Sequence, residues 1–416
     1  MEGKKLLFDY LNKLSKGRPI FDPVPEELQR YLPNFDVPSE DEEEDYYIEL
    51  PKEDFGPVKV EDNVEPVHFS AFLDGVQRTQ VYHRETLPNG ARVPIFIAHI
   101  AVGVVLREDK KLKFDDELFE HRYLLVLPYE GIKEETKGAF PEPPLRKGDD
   151  EEITCFETEK EAFWSDITMW LGGKGGERLS GEKLLESYKI RARARTRVGA
   201  WRQMLELYVL KRFVEKYPDR WILVDGPLYY DYRWTARLNI GREEFIDKAK
   251  YVVGYIKAPR ERPKNLSLIL KLDLSQRSPV RRWRKTSVPK EGHFGEERKT
   301  PFPRSHLKWY IRQRIPPRGW TPPDYIGLAA IDIDIITLGL NEEGDNLTPD
   351  KFETYRPVID SITSGIWQER LPNPSFPMDF SYYVRLYPIE KLERTLHSCL
   401  LPPRMLATAG IWRHTV

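Results

Sequence analysis

The chain has 416 residues, 40% of them hydrophobic and 32% charged, enough for a large core and for either one enlarged domain or two. A net charge of −2 argues against a generic basic nucleic-acid binder, and two cysteines, Cys155 and Cys399, give neither a zinc site nor a disulfide framework. The longest apolar run, residues 95–106, falls far short of the roughly 20 residues a membrane-spanning helix requires, so no membrane span is expected.

Residues 1–17 mix Lys4, Lys5 and Lys13 with Leu6, Leu7, Phe8, Leu11 and Leu14, which predicts an amphipathic helix rather than a secretory signal and a cytoplasmic location. Residues 33–66 then hold 13 acidic side chains against two basic ones, the pattern of a solvated arm. The first 66 residues are read as this helix and arm, with residues 67–416 forming the main domain: a core over 67–260, a basic insertion at about 277–318, and a completion of the core over 325–416.

Residues 68–75 form a short apolar run closed by Asp74-Gly75, which predicts a buried strand that ends there. Further strands are expected over 79–86, 95–106 and 122–127, in an antiparallel meander. Residues 157–171 read as a helix broken by the glycine run 172–176. A longer helix is expected over 182–216, where Val198, Trp201, Leu205, Tyr208 and Arg212 recur at helical spacing and Pro218 stops it. Residues 221–228 repeat the first pattern, a buried strand closing on Asp225-Gly226. A helix over 242–250, strands over 251–257, 326–338 and 380–386, and a helix over 388–400 complete the reading, an α/β chain.

Residues 277–318 reverse the charge of the arm, with 13 basic side chains against three acidic. Arg281, Arg282, Arg284, Lys285 and Arg312 alternate there with Trp283, Trp309 and Tyr310, rings able to stack on unpaired bases; a solvated, proline-rich loop is the competing reading.

A meander, a long helix and then a strand is the element order of ribonuclease-H-like folds, a mixed sheet flanked by helices whose first and fourth strands are neighbours. That order would set Asp74 beside Asp225, with Glu206 on the preceding helix as a third carboxylate, an oxygen-ligand set suited to a hard divalent cation. Each residue also has a plainer reading: Asp-Gly is a common turn dipeptide, and Glu206 can pair with Arg202 one helical turn earlier. Lys257 closes the following strand and could contact a phosphate there. Asp332 and Asp334 share one face of a strand, as site members or as an edge device.

The segments Phe72-Leu73-Asp74-Gly75, Arg202 to Glu206, Ile222-Leu223-Val224-Asp225-Gly226-Pro227-Leu228 and Gly254-Tyr255-Ile256-Lys257 resemble, in order and spacing, the successive motifs of the NurA nuclease family. The resemblance implies a ribonuclease-H-like core, Mn2+ or Mg2+ as cofactor, DNA as substrate, a homodimer, and a HerA-like hexameric ATPase as partner in end resection. It implies Asp74, Glu206 and Asp225 as metal ligands; with Lys257, placed by its strand end, they make up the candidate catalytic set. Val76 stands where the family's first motif has serine, and Tyr383, His397 and His414 are the candidates for its C-terminal Tyr/His motif. Two alternatives stand beside this: another ribonuclease-H-like nuclease acting on RNA or guide-paired strands, and a non-catalytic DNA-end-binding adaptor of a motor ATPase. The amphipathic N-terminus or the acidic arm would dock such a partner.

Overall fold

The computed structural model describes residues 37–38, 48–51, 54–143, 145–147, 162–169, 178–228, 247–257, 259, 261–262, 265–285, 304–315, 326–340, 347–372 and 380–403. The helix expected at residues 1–17, most of the acidic arm, the glycine run 172–176, His414 and the side chains of Arg284 and Lys285 lie outside them.

The chain is an α/β protein built on a mixed sheet that has thirteen strands among the described residues. Its main strands are β1 (Ala71–Thr86), β2 (Arg92–Glu108), β3 (Lys111–Phe114), β4 (Glu120–Leu127), β5 (Ala162–Asp166), β6 (Ile222–Asp225), β7 (Val252–Ile256), β8 (Arg281–Lys285), β9 (Arg304–Arg312) and β10 (Leu328–Asp334). The central order is β9-β10-β7-β6-β1-β2-β4-β5. β1, β2 and β4 form the antiparallel meander, while β6 runs parallel to both β1 and β7. β2 is buried from Val93 to Leu106 and shows no polar-apolar alternation, as a central strand covered on both faces requires.

Helices supply those covers. Helix α1 (Ser187–Lys216), about 45 Å long at 1.5 Å per residue, packs on β1, β2 and β4. Ile190, Ala194, Val198, Trp201 and Leu205 fall at intervals of three or four and are buried, and Tyr217 closes the helix before Pro218. On the opposite face lie α2 (Arg356–Gln368), through Ile359, Ile362 and Ile366, and α3 (Tyr387–Cys399), through Ile389, Leu392 and Leu396. Full burial of such a side chain is worth roughly 1.5–3 kcal/mol, so each helix is held by its apolar stripe more than by its intrinsic propensity. No helix among the described residues is long and apolar enough to cross a membrane.

Four expectations need correction. Asp74-Gly75 does not end a strand: β1 continues through it to Thr86, paired throughout with β2, and absorbs the segment expected as a separate strand. Within residues 157–171, Ala162–Asp166 is a strand parallel to β4, because an open sheet edge gives this short apolar segment backbone partners. The helix expected over 242–250 is, in its described part, a short 3-10 turn at Asp247–Tyr251. The alternating segment 380–386 begins as another, Phe380–Tyr383; Tyr382, Tyr383, Val384 and Leu386 are all buried, so its apolar residues mark packing rather than pleat.

Candidate active site

The parallel pairing of β1 and β6 matches Ala71 with Ile222, Phe72 with Leu223 and Leu73 with Val224. The next residues in register are Asp74 and Asp225. Alternation along β1 puts Phe72, Asp74 and Val76 on the face covered by α2 and α3, and Leu73 and Gly75 on the face covered by α1. Asp225, two residues after Leu223, and Lys257, two after Tyr255, share the face of Asp74. Lys257 Nζ lies 2.7 Å from Asp225 Oδ2 and 4.0 Å from a carboxylate oxygen of Glu393 on α3. His397, one turn further along α3, stands 3.8 Å from Glu393.

Glu206 arrives from the other side. Its carboxylate lies where a side chain at Gly75 would project; a Cβ there would strike Glu206 Oε1 and stand 3.0 Å from its Cγ. Arg202 pairs with Glu206 and donates from Nη1 to the Gly75 carbonyl at 3.0 Å. The glycine of the first Asp-Gly is therefore needed for a close approach between helix and sheet, and not for a turn. The second glycine does turn the chain: Gly226 has φ +122°, a conformation that favours glycine, and its N–H donates to the Tyr255 carbonyl at 2.8 Å.

Electrostatics bind these groups into one unit. Burial pushes the Asp74 carboxyl well above its usual range, and Asp225, Glu393 and Glu206 add to the shift while Lys257 opposes it. Burial likewise raises Glu206 to about 7, with Arg202 working against that and Asp225 adding to it. Burial disfavours the charge on Lys257, yet Asp225, Asp74 and Glu393 outweigh it and raise its pKa. Glu206 is the largest influence raising the pKa of Arg202, and Asp74 and Asp225 contribute as well. Four carboxylates and two cations thus influence one another, Glu206 and Arg202 from one face of the sheet and the others from the opposite face.

Asp74 and Asp225 are brought together, with Lys257 beside them; Glu206 reaches them from the opposite face. Among the described residues no three His, Cys, Asp or Glu side chains form a group that could hold a metal ion as they stand. Asp225 is turned to Lys257 and Glu206 to Arg202, and the sheet stands between the two pairs. The donor chemistry still suits a hard divalent cation: the carboxylates are oxygen-only, crowded by like charge, and Asp74 accepts a hydrogen bond from Gly75 N at 2.7 Å through Oδ1. Asp74, Asp225 and Glu393 are the three that share a face. Glu393 carried no sequence signal, since it sits among Glu390, Lys391 and Arg394 on what reads as an ordinary charged helix face.

Other candidates have other roles. Asp332 is buried; Leu228 N donates to its Oδ2 at 3.2 Å and His306 Nδ1 lies 3.2 Å from its Oδ1. Asp334 caps the 3-10 turn Ile335–Leu338 by accepting from Ile336 N. Tyr383 is buried next to Tyr382.

The basic stretch is corrected more sharply. Arg312 is buried, its guanidinium donating to the carbonyls of Leu272, Ile326 and Leu270 at 2.6–2.7 Å, so it ties loops together and presents nothing to a nucleic acid. Trp309 and Tyr310 are buried in β9, between β10 and β8, and are unavailable for base stacking. Arg281 and Arg282 are buried too, with Arg281 donating to the Tyr310 hydroxyl at 2.8 Å. The alternation of cations and rings over 308–312 therefore belongs to a strand covered on both faces.

Comparison with protein-family models and with curated proteins returns no match.

Proposed function

We propose that the chain is a divalent-metal-dependent deoxyribonuclease with a ribonuclease-H-like core, akin to NurA. The observation that carries this reading is the register of β1 and β6, which sets Asp74 beside Asp225 on a face that also holds Glu393 and Lys257. The order β4-β2-β1-β6-β7 supports it, since the meander and the parallel fourth and fifth strands follow that fold's arrangement.

In this reading Asp74, Asp225 and Glu393 hold Mn2+ or Mg2+, with Glu206 behind Gly75. An ion held there would supply charge stabilisation at a phosphoryl oxygen and would lower the pKa of water. Lys257 offers a point charge to the scissile phosphate. Glu206, raised to about 7, is poised to hold or release a proton near neutral pH, and Arg202 fixes its orientation. A homodimer working with a HerA-like ATPase on DNA ends extends the same proposal.

A second reading, a non-catalytic DNA-end-binding adaptor, is favoured by one observation: Lys257 and Arg202 already neutralise Asp225 and Glu206 within the chain. The two separate in one assay. Linear single- and double-stranded DNA is incubated with the protein and Mn2+ or Mg2+, with EDTA as the control. Degradation that the chelator abolishes supports the nuclease; binding without degradation under every metal tried supports the adaptor.

A further inference from the structure

Two arginines, Arg314 and Arg370, lie near Tyr255, the register partner of Asp225. Arg314 follows the end of β9, and Arg370 follows the end of α2. Arg314 donates from Nη1 to the Tyr382 hydroxyl at 2.6 Å and from Nη2 to the Leu371 carbonyl, with its guanidinium carbon 4.2 Å from the Tyr382 ring centroid. Arg370 donates from Nε to Gln313 Oε1 at 3.1 Å, and its guanidinium stands 5.5 Å from the Trp367 ring centroid. Both arginines are half-buried.

Neither forms an ion pair with a described carboxylate, although acids lie close by in the chain. Glu369, adjacent to Arg370, is held at two oxygens by Arg107. Glu390 is held by Arg385 and Arg394, each at 2.8 Å. The described acids nearby are thus used elsewhere, and the two guanidiniums, close enough for Arg314 to repel Arg370, have no counter-charge among the described residues. Arg314 Nε is in addition buried without an acceptor among the described residues. Burial, and then the repulsion of Arg314, lowers the Arg370 pKa to about 10. Uncompensated like charges half out of water are costly, and an anion that accepts from both would relieve the cost.

The position of the pair matters. Tyr255 is the register partner of Asp225 across β6 and β7, and its hydroxyl donates to the Val384 carbonyl at 2.7 Å. Its phenol feels Asp225, Arg370 and Arg314. Tyr255 is thus near both the arginines and Asp225. We propose that Arg314 and Arg370 form a phosphate subsite that grips a phosphodiester of the DNA strand next to the Asp74–Asp225 centre. Guanidinium forks match the paired oxygens of a phosphate. The ligand class rests on the nuclease reading above; the anion site itself rests on the arginines alone.

The test is equilibrium binding of a labelled single-stranded oligonucleotide by fluorescence anisotropy, in EDTA so that nothing is cleaved, across a series of salt concentrations. Arg370→Gln is expected to weaken binding about tenfold and to reduce the slope of log K against log salt by about 0.7, one phosphate contact on a single strand. Arg370→Lys should keep the wild-type slope, and millimolar inorganic phosphate should compete with the oligonucleotide for the wild type. Wild-type affinity and slope in a folded Arg370→Gln would overturn the proposal. So would a loss of affinity at unchanged slope, which marks a structural role. If Arg370→Gln does not fold, wild-type protein is melted against increasing inorganic phosphate: a saturating rise supports the subsite and a flat response overturns it. The nuclease reading is tested separately by cleavage in Mn2+: a chain that binds with these slopes but degrades no DNA keeps the anion subsite and loses the nuclease reading.

Discussion

The Glu206 carboxylate occupies the space that a side chain at Gly75 would fill, so a helix on one face of the sheet and a strand residue next to Asp74 are fitted to each other. Gly75→Ala forces its methyl against Glu206 and to 3.0 Å from Val102 Cγ2. The expected cost is about 1–3 kcal/mol, as for other over-packed core positions. Truncating the obstacle should recover part of it: Gly75→Ala combined with Glu206→Ala is expected to be less destabilised than the sum of the two single variants in urea titrations. Strict additivity would mean that the two positions do not touch.

Lys257 holds Asp225 at 2.7 Å with both side chains largely buried. Lys257→Met leaves the two aspartates without their nearest cation. Removing one partner of a buried pair costs about 3–5 kcal/mol, and the partial exposure here points to the lower end. Thermal melting in chelator should show that loss, and added Mn2+ should restore part of it if the carboxylates take up the ion. A variant as stable as wild type in chelator would place Lys257 outside the cluster.

Glu206 ordinarily titrates near 4.5 and is raised to about 7 in the fold. Its native state therefore binds the proton more tightly than the unfolded chain. The stabilisation is complete below pH 4.5 and disappears as pH rises through 7. The stability difference between wild type and Glu206→Gln, measured in metal-free buffer, should shift against the wild type across that window. A pH-independent difference would show that burial does not perturb this carboxyl.

His99 works in the opposite direction. It is buried, accepts from Leu401 N at Nδ1 (3.1 Å), and so turns a protonated Nε2 towards His121 Nδ1 at 3.4 Å. Burial, His121 and Arg78 lower its pKa from 6.5 to about 4. Its contribution is present above pH 6.5 and is lost as pH falls through 4. Arg78 grips the carbonyls of Leu400 and Leu401, so this cluster fastens the end of α3, the helix that carries Glu393. Hydrogen exchange over 396–401 should accelerate as pH drops through that window in wild type, after correction for intrinsic rates, and be faster above it in His99→Gln. Unchanged protection would show that the imidazole does not hold the helix end.

The adjacency of Asp74 and Asp225 was legible because it follows from strand order, and strand order follows from apolar runs and a long helix. What defeated reading from sequence were positions where tertiary partners decide. Gly75 looks like a turn residue, yet β1 runs through it in extended form, and its small size serves Glu206. Ala162–Asp166 carries Phe163, Trp164 and, just beyond it, Ile167 at spacings compatible with a helix, but the free edge of β4 claims it as a strand. Arg312 and Trp309 look like a nucleic-acid face; only the three carbonyls around the arginine and the strands on either side of the tryptophan reveal a core. Glu393 depends on the way α3 crosses the sheet, which no local pattern encodes.

Whether Asp74 and Asp225 act as one centre is decided by the rate of Mn2+-dependent degradation of linear DNA by Asp74→Ala, Asp225→Ala and the double variant. If the two carboxylates serve a single site, each single substitution should lower the rate by at least about a hundredfold, and the double variant should be no worse than the poorer single one. Undiminished activity in either folded single variant would contradict the account.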